Sequence, residues 1–402
     1  MVKKLLFLLF CISISHFVMS QNETWRVEIS LNDRLILPFF IEEENRKNGV
    51  PLYSVKNGDE KIPLDFKALK NDTIQLSFKE MSSHLKIIYT DSNHFLGYWV
   101  NERKASQHHI SGVRGDYKRF ESTTATSSKK IHSSYEVLFG RAKDAWPAIG
   151  LFKQHGDELT GTFLTETGDY RYLEGNVFGD HLYLSCFDGA HAFVFTAKIF
   201  GDSLSGRFYS GSNYKIDWSG IKNETAEIGD PNKLTYLVDT SYDLAKTKFK
   251  SLVMGNRKIK FQNRALTILQ IMGSWCPNCL DETNYFKELN QKYEDRGLQI
   301  IALGFESQKS TRKRRKHLKR FKEKASIPYP VYLAGNASKK EASKVFSMLN
   351  GISSFPTTLF VNQKGDIIHV HTGFYGPGTG IYYERYKKET QAIIEKSLGK
   401  KN

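Results

Sequence analysis

Residues 267–279 read TILQIMGSWCPNC, and this stretch decides the fold of the C-terminal part of the chain. A mostly apolar run of strand length ends at Met272, and two cysteines separated by two residues then open a segment with helical periodicity. A thiol in the first turn of a helix faces unpaired backbone N–H groups and the positive end of the helix dipole, which favour the thiolate. The pattern therefore predicts a redox-active dithiol, with Cys276 as the nucleophile and Cys279 as the more buried resolving thiol.

A zinc site is the main alternative for two cysteines at this spacing. Zinc needs four ligands, and the sequence contains neither a second C-x-x-C nor a suitably spaced H-x-x-x-H. Trp275, directly before the first cysteine, favours the redox interpretation.

Further along, residues 354–361 read SFPTTLFV and place Pro356 at the head of another β-run. An X-Pro bond there can be cis and leave the backbone free to meet a substrate. These features predict a centre without metal or cofactor.

Together these motifs resemble the thioredoxin fold, and more closely the TlpA/ResA-like branch of envelope thiol-disulfide oxidoreductases. The resemblance covers residues 250–402 and implies an α/β thioredoxin-like domain. It also implies that Cys276 attacks, that Cys279 resolves, and that the substrate docks beside Pro356. Glu282, three residues after the second cysteine, stands where that branch carries an active-site acid.

One position departs from the thioredoxin pattern. Where thioredoxin has a buried aspartate on the strand before the dithiol, this chain has Gln270. A proton relay must then use another group, and the candidates are Glu282 and Glu306. Glu306 follows an apolar strand, at the sheet edge where open α/β sheets place functional groups. A helix-capping or solvent-facing carboxylate explains Glu306 equally well.

The N-terminus has the features of a secretory signal peptide over residues 1–20. Two lysines precede a mostly apolar core, and small residues offer a cleavage site before Gln21. The bulky Phe10 before Cys11 argues against a lipoprotein signal. We therefore expect export to the periplasm or cell envelope, removal of the signal peptide, no membrane span in the mature chain, and a compartment where disulfides persist.

The chain has 402 residues and a net charge of +15, and its length allows two or three domains. A basic chain can indicate a nucleic-acid partner, but export argues against one. The basic run 309–324 is predicted to be a helix in which Leu318 and Phe321 form a narrow buried stripe beneath a solvated cationic face.

Residues 21–223 show strand signals almost throughout, so the N-terminal region is predicted to be a mostly antiparallel β barrel or sandwich. A stretch rich in Ser, Thr, Lys and His, residues 103–132, is expected to be a long loop or linker that divides this region into two halves. Gly-Asp turns that lead into alternating strands recur in the second half. A polar linker, residues 224–249, connects to the thioredoxin-like domain.

Cys186 is the single cysteine between the signal peptide and the dithiol. We interpret it as a buried strand thiol, although a thiol relay or a polar pocket with Asp188 and His191 is the alternative. The stretch 184–193, with the dithiol motif and the glycine-rich tail at 371–380, also resembles two-part envelope proteins in which a β-rich domain precedes a TlpA-like domain. His369 and His371 alternate along a strand and, without a third ligand, are predicted to be sheet-surface residues.

The sequence thus predicts an exported thiol-disulfide oxidoreductase that forms a mixed disulfide with its substrate. Potentials in this superfamily depend on the residues beside the dithiol, here Pro277, Asn278 and Phe355, and the absence of histidine between the cysteines favours a protein-disulfide reductase. Its partners would be a disulfide-bearing protein and an upstream thiol donor that could be membrane-bound. Two alternatives stay open: a binding or assembly protein that acts through its β-domain, and a thiol peroxidase.

Overall fold

The computed structural model describes residues 22–44, 50–122 and 128–399. The expected signal peptide lies outside the described residues, and so does Cys11. Three sheets follow one another along the chain. The first comprises eight strands: β1 (Asn22–Asn32), β2 (Leu35–Glu44), β3 (Leu52–Asn57), β4 (Glu60–Ala68), β5 (Thr73–Phe78), β6 (Ser83–Tyr89), β7 (His94–Asn101) and β8 (Ser106–Arg114).

This first sheet closes into an antiparallel barrel, because β1 pairs with both β2 and β8. Side chains alternate between the two faces of a strand, so every second residue of β1 fills the interior of the barrel. The expectation of a continuous loop over residues 103–132 is wrong for β8. Ile110 is the one large apolar side chain that β8 buries, so the polar residues facing outward dominate its composition.

The second sheet comprises nine strands: β9 (Ser134–Phe139), β10 (Trp146–His155), β11 (Glu158–Thr165), β12 (Gly168–Asp169), β13 (Leu173–Phe178), β14 (His181–Phe187), β15 (Ala192–Phe200), β16 (Ser203–Ser210) and β17 (Tyr214–Lys222). It is also a barrel, since β10 pairs with both β9 and β11. Gly179 and Gly201 turn two of its hairpins at φ values of 56° and 57°, which glycine adopts without strain. The predicted Gly-Asp turns are confirmed.

The two barrels share apolar and polar contacts. Phe187, at the end of β14, leaves its own barrel and enters the core of the first barrel, with its ring centroid 4.6 Å from that of Phe39. Arg119, in the segment between the barrels, is buried and donates to Asn57 Oδ1 of the first barrel and Glu174 Oε2 of the second, each at 2.8 Å. Removing either barrel would therefore expose apolar surface and leave a buried cation without its partners.

The third sheet belongs to the C-terminal domain, and four helices flank it. Its strands are β18 (Lys248–Ser251), β19 (Asn256–Lys258), β20 (Leu266–Met272), β21 (Leu298–Glu306), β22 (Val331–Asn336), β23 (Thr357–Asn362) and β24 (Ile367–Thr372). The helices are α1 (Pro277–Tyr293), α2 (Thr311–Lys324), α3 (Lys339–Val345) and α4 (Ile381–Leu398).

The order of strands in this sheet is β19-β18-β22-β21-β20-β23-β24, with β20, β21 and β22 parallel and β23 antiparallel to β20. Every residue of β20 is buried, because apolar clusters cover both faces of the sheet. The predicted basic helix is confirmed as α2, in which Leu318 and Phe321 are the buried residues. None of the helices in the described ranges combines the length and hydrophobicity of a membrane-crossing segment.

A single buried arginine joins all three sheets. Arg171, which follows β12, forms ion pairs with Glu60 of the first barrel, Asp188 of the second and Asp281 of α1. Burial raises the pKa of Asp281 to about 7, against the opposing effect of Arg171. Burial by itself would raise the pKa of Asp188, but His191 and Arg171 outweigh it, so the pKa of Asp188 is lowered. One guanidinium thus holds together carboxylates from three parts of the fold.

We expect Arg171→Met to destabilise the protein strongly, because it leaves one buried and two half-buried carboxylates without their shared cation. Breaking a buried ion pair from one side costs roughly 3–5 kcal/mol. Arg141→Met is the matched control, since Arg141 is exposed and pairs with Asp217 at the surface, where an ion pair is worth about 0–1 kcal/mol. Urea unfolding monitored by tryptophan fluorescence would measure both, and equal midpoints for the two variants would contradict a structural role for Arg171.

Candidate redox site

The two cysteines of the C-x-x-C motif form a disulfide at the start of α1. Cys276 is the N-cap residue, and its sulfur accepts the backbone N–H of Cys279 at 3.2 Å. Cys276 is 8% exposed, whereas Cys279 is fully buried. The helix therefore directs backbone donors towards the sulfur of Cys276, which stabilises negative charge on that atom.

The backbone of the proline-led strand faces this disulfide. The Phe355–Pro356 peptide bond is cis, and the carbonyl oxygen of Phe355 lies 3.6 Å from Cys276 Sγ. The Trp275 ring packs edge-on against the Phe355 ring, with 5.5 Å between centroids, and its indole N–H donates to the carbonyl oxygen of Phe305 at 2.8 Å. An aromatic pair thus forms one wall beside the accessible sulfur.

Glu282 lies fully buried behind the dithiol, one helical turn beyond Cys279. Its carboxylate accepts hydrogen bonds from Gln270 Nε2 at 2.9 Å, Thr358 Oγ1 at 2.9 Å and Tyr386 OH at 2.8 Å. Gln270 Nε2 also donates to the carbonyl oxygen of Cys279 at 3.1 Å. Burial raises the pKa of Glu282 to about 7, against the opposing effect of the three donors. Gln270, where thioredoxin has an aspartate, thus connects Glu282 to the backbone of the dithiol.

Glu306 is fully buried at the end of β21, so a solvent-facing role is excluded. It accepts hydrogen bonds from the backbone N–H and the hydroxyl of Ser274, at 2.9 and 2.7 Å. His317 of α2 lies 3.1 Å from Glu306 Oε2 through Nδ1, and its Nε2 lies 2.8 Å from Ser82 Oγ of the first barrel. Glu306 thus holds the loop that precedes Cys276. This pairing was not predicted from the sequence, because His317 stands within a basic run.

A cleft of about 520 Å³ opens above Cys276, and all three domains line it. The first barrel contributes Arg103 and Lys104 from the turn between β7 and β8. The second barrel contributes aromatic and polar side chains, namely Trp146, Thr167, Tyr170, His191 and Phe193. The C-terminal domain contributes Trp275, Asn278 and Phe355, which lie beside the disulfide. The sequence did not point to the barrel residues, since they lie more than 80 residues from the dithiol.

The β11–β12 hairpin contacts both active-site loops directly. The side chain of Asn278, between the two cysteines, donates to the carbonyl oxygen of Asp169 at 3.3 Å. Ser354 Oγ, two residues before the cis proline, donates to the carbonyl oxygen of Thr167 at 3.3 Å. A Cβ on Gly373 would lie 2.4 Å from that same Thr167 oxygen, so the close approach requires glycine. The second barrel therefore covers one flank of the site.

The third described cysteine is remote from this chemistry. Cys186 is fully buried in the core of the second barrel, and burial raises its pKa well above the usual range. Asp188 and His191 do not form a pocket around it. They pair with each other at 3.0 Å, and Asp188 also pairs with Arg171. The geometry favours a packing role for Cys186.

Of the two histidines of β24, His369 is half-buried and His371 differs from the expectation. His371 is not a sheet-surface residue: it is 5% exposed and packs against the ring of Tyr386 with 4.7 Å between centroids. Its Nδ1 lies 2.8 Å from Asn232 Oδ1 in the connecting segment. Burial lowers its pKa to about 3, so the imidazole is neutral near pH 7. The expectation was wrong because this connecting segment covers β24.

No group of three or more potential metal ligands occurs within the described ranges.

Comparisons with known proteins point to the same chemistry. Residues 256–379 match the Redoxin family model. The thiol-disulfide oxidoreductase ResA of Halalkalibacterium halodurans is 28% identical over 105 residues, which are 26% of this chain and 52% of ResA. The thioredoxin-like protein YneN of Bacillus subtilis is 26% identical over 106 residues, 26% of this chain and 55% of YneN. The chain thus spans about half the length of the curated relatives it matches, and its C-terminal domain is TlpA/ResA-like.

Among solved structures, StoA from Bacillus subtilis aligns with 39% of this chain and 96% of its own, at 20% identity and a TM-score of 0.26. A thiol:disulfide interchange protein of the thioredoxin family from Chlorobium tepidum aligns with 38% of this chain and 92% of its own, at 17% identity and a TM-score of 0.29.

The pKa of Glu282 makes stability depend on pH. Because its folded pKa of about 7 lies above the ordinary value of 4.5, its contribution to stability is complete below about pH 4.5 and is lost as pH rises through about 7. The loss is about 3 kcal/mol at 1.36 kcal/mol per pKa unit. Glu282→Gln should remove the share of the pH dependence that Glu282 contributes, while Asp281, whose pKa is also raised to about 7, keeps its own. The introduced amide keeps only part of the hydrogen bonding.

Urea unfolding of the oxidised protein at pH 4.5 and pH 8 would measure this difference. Glu384→Gln on α4 is the matched control, since Glu384 is exposed. If the Glu282→Gln protein loses as much stability between the two pH values as the parent protein, Glu282 is not the titrating group.

Proposed function

We propose that this TlpA/ResA-like chain is an exported thiol-disulfide oxidoreductase that reduces protein disulfides in the periplasm or cell envelope. The observation that supports this most directly is the disulfide at the start of α1, which joins a partly accessible Cys276 to a fully buried Cys279. In a C-x-x-C dithiol at a helix N-terminus, the accessible thiol is the one that can meet a substrate. The Redoxin match over residues 256–379 supports the same chemistry.

In the reducing direction, the reaction has two exchange steps. The Cys276 thiolate attacks one sulfur of the substrate disulfide, the substrate S–S bond breaks, and the other substrate sulfur leaves as a thiolate that takes up a proton. Cys279, as a thiolate, then attacks Cys276 Sγ and releases the second substrate thiol. The substrate has gained two electrons and two protons, and the Cys276–Cys279 disulfide has formed. A dithiol donor, which could be membrane-bound, restores the reduced protein.

Glu282 is the group we propose for the proton that Cys279 must lose before it attacks. Its pKa of about 7 lets it exist in both protonation states near neutral pH. Gln270 donates both to Glu282 and to the carbonyl oxygen of Cys279, and so holds the carboxyl group beside the backbone of the resolving cysteine. Glu306 is a positioning residue, because it binds Ser274 in the loop before Cys276.

We expect the Cys279→Ser protein to accumulate a mixed disulfide between Cys276 and a peptide disulfide substrate, because the resolving thiol is absent. Cys276→Ser should form no such adduct, since Cys279 is fully buried. Intact-protein mass spectrometry after incubation with the peptide would measure both, and Cys186→Ala is the control that should behave as the parent protein. An adduct on Cys279 in the Cys276→Ser protein would reverse the proposed order of attack.

The direction of the reaction is tested by the reduction potential of the dithiol. We expect a value near that of thioredoxin, about −270 mV, because the Pro-Asn dipeptide lacks the histidine of strongly oxidising members. Equilibration of the Cys186→Ala protein with glutathione buffers, followed by alkylation of free thiols, would give the potential without interference from a third thiol. A value near about −120 mV would make the protein an oxidant of folding proteins instead.

A further inference from the structure

The cleft above Cys276 restricts how a substrate disulfide can reach the sulfur. Cys276 is only 8% exposed, and the cleft has a volume of about 520 Å³. That volume lies within the range of small-ligand sites, roughly 300–1,000 Å³. A protein-sized surface cannot be seated in such a space, whereas a flexible segment of a few residues can.

The second barrel closes the flank along which a substrate chain would otherwise lie. Thr167 accepts a hydrogen bond from Ser354, beside the cis proline, and Asp169 accepts one from Asn278, between the cysteines. Both residues belong to the β11–β12 hairpin, and the Arg171 ion pairs fix the adjoining loop to Asp281 of α1. The hairpin therefore does not swing away without breaking buried ion pairs.

The open side of the cleft carries positive charge. Arg103 and Lys104 line it, and the Arg103 guanidinium lies 5.6 Å from the centroid of the Trp275 ring, next to Cys276. Within the described ranges, neither cation has a carboxylate within 4 Å. Both are solvent-exposed residues of a turn, so they are available to an incoming group.

The two acidic residues of the cleft are less exposed than its cations. Asp169 accepts backbone N–H groups from Gly376 at 2.5 Å and from Arg171 at 2.6 Å. Glu166, the other acidic residue of the lining, is half-buried next to Gly229 of the connecting segment. The exposed charged side chains of the cleft are therefore those of Arg103 and Lys104, on a chain whose net charge is +15.

From these observations we infer that the substrate of this site is a disulfide held in an extended, acidic peptide segment. The inference rests on the proposed reductase function and specifies its substrate class. The carboxylates of the segment pair with Arg103 and Lys104, while the aromatic side chains of the cleft hold the backbone around the half-cystine. Folded proteins whose disulfides lie within a rigid surface are excluded by the barrels.

Three short peptides, each with one cysteine as its 2-pyridyl disulfide, test this inference. They differ only in flanking residues, which are glutamates, serines or lysines. Cys276 attacks the peptide sulfur, 2-thiopyridone leaves, and Cys279 then releases the peptide thiol, so absorbance of 2-thiopyridone reports the first step. With the reduced full-length protein we expect the rate constant to fall from the glutamate to the lysine peptide by at least about tenfold, as expected for electrostatic steering.

The decisive variant reverses the charge of the cleft. Arg103→Glu combined with Lys104→Glu should slow the glutamate peptide and accelerate the lysine peptide, a gain that a misfolded protein would not show. Lys153→Glu combined with Lys222→Glu is the matched control, because it makes the same change in net charge at exposed positions outside the lining of the cleft. This control should keep the preference for glutamate.

The remaining outcomes separate the inference from the function on which it rests. Equal rates for all three peptides, or equally rapid reduction of native insulin, would overturn the inference and leave the reductase function standing. If the reduced protein releases no 2-thiopyridone from any peptide, and its dithiol cannot be cycled, the proposed function itself fails.

Discussion

The arrangement of this protein depends on one buried guanidinium. Arg171 pairs with carboxylates from the first barrel, the second barrel and α1, so one cation contributes to the relative placement of all three domains. Arginine suits this position because its planar guanidinium offers several donors in fixed directions and stays charged when buried. The partner in α1 is Asp281, two residues beyond Cys279, so the ion pairs also fix the redox helix against the barrels.

Three acidic residues lie close to the dithiol, two of them fully buried and Asp281 half-buried, and each has a different environment. Asp281 faces a guanidinium, Glu282 faces three neutral donors, and Glu306 faces a serine and a histidine. The first and third hold the disulfide loop against its neighbours, whereas the second has no cation to stabilise its charge. Burial without a cation raises the pKa of a carboxyl group and suits it to proton transfer. Glu282 is the one of the three without a cation, and the role in proton transfer that we propose for it rests on that environment.

The sequence predicted those features that local pattern controls. The dithiol helix, the proline-led strand and the basic helix depend on contiguous residues, and periodicity or turn chemistry identifies them. The strand β8 was missed because a barrel strand with one face in solvent needs few large apolar residues. Arg171, Arg103 and His317 could not be recognised, since their partners lie tens to hundreds of residues away and nothing in the local sequence marks the pairing. The burial of His371 was missed for the same reason.

The barrels and the C-terminal domain line one cleft, which favours one of two views of the N-terminal region. If the barrels were a separate binding module, their contacts with the C-terminal domain would lie away from the disulfide. Instead, the backbone carbonyl of Thr167 accepts a hydrogen bond from Ser354, and that of Asp169 accepts one from Asn278. Arg103 lies beside Trp275. Thioredoxin-type chemistry needs only the dithiol and its helix, so the barrels are not required for electron transfer itself. Their position beside Cys276 is suited to selecting which substrate disulfides reach its sulfur. The barrels can exclude some substrates by shape and charge without any change in the chemistry of the dithiol.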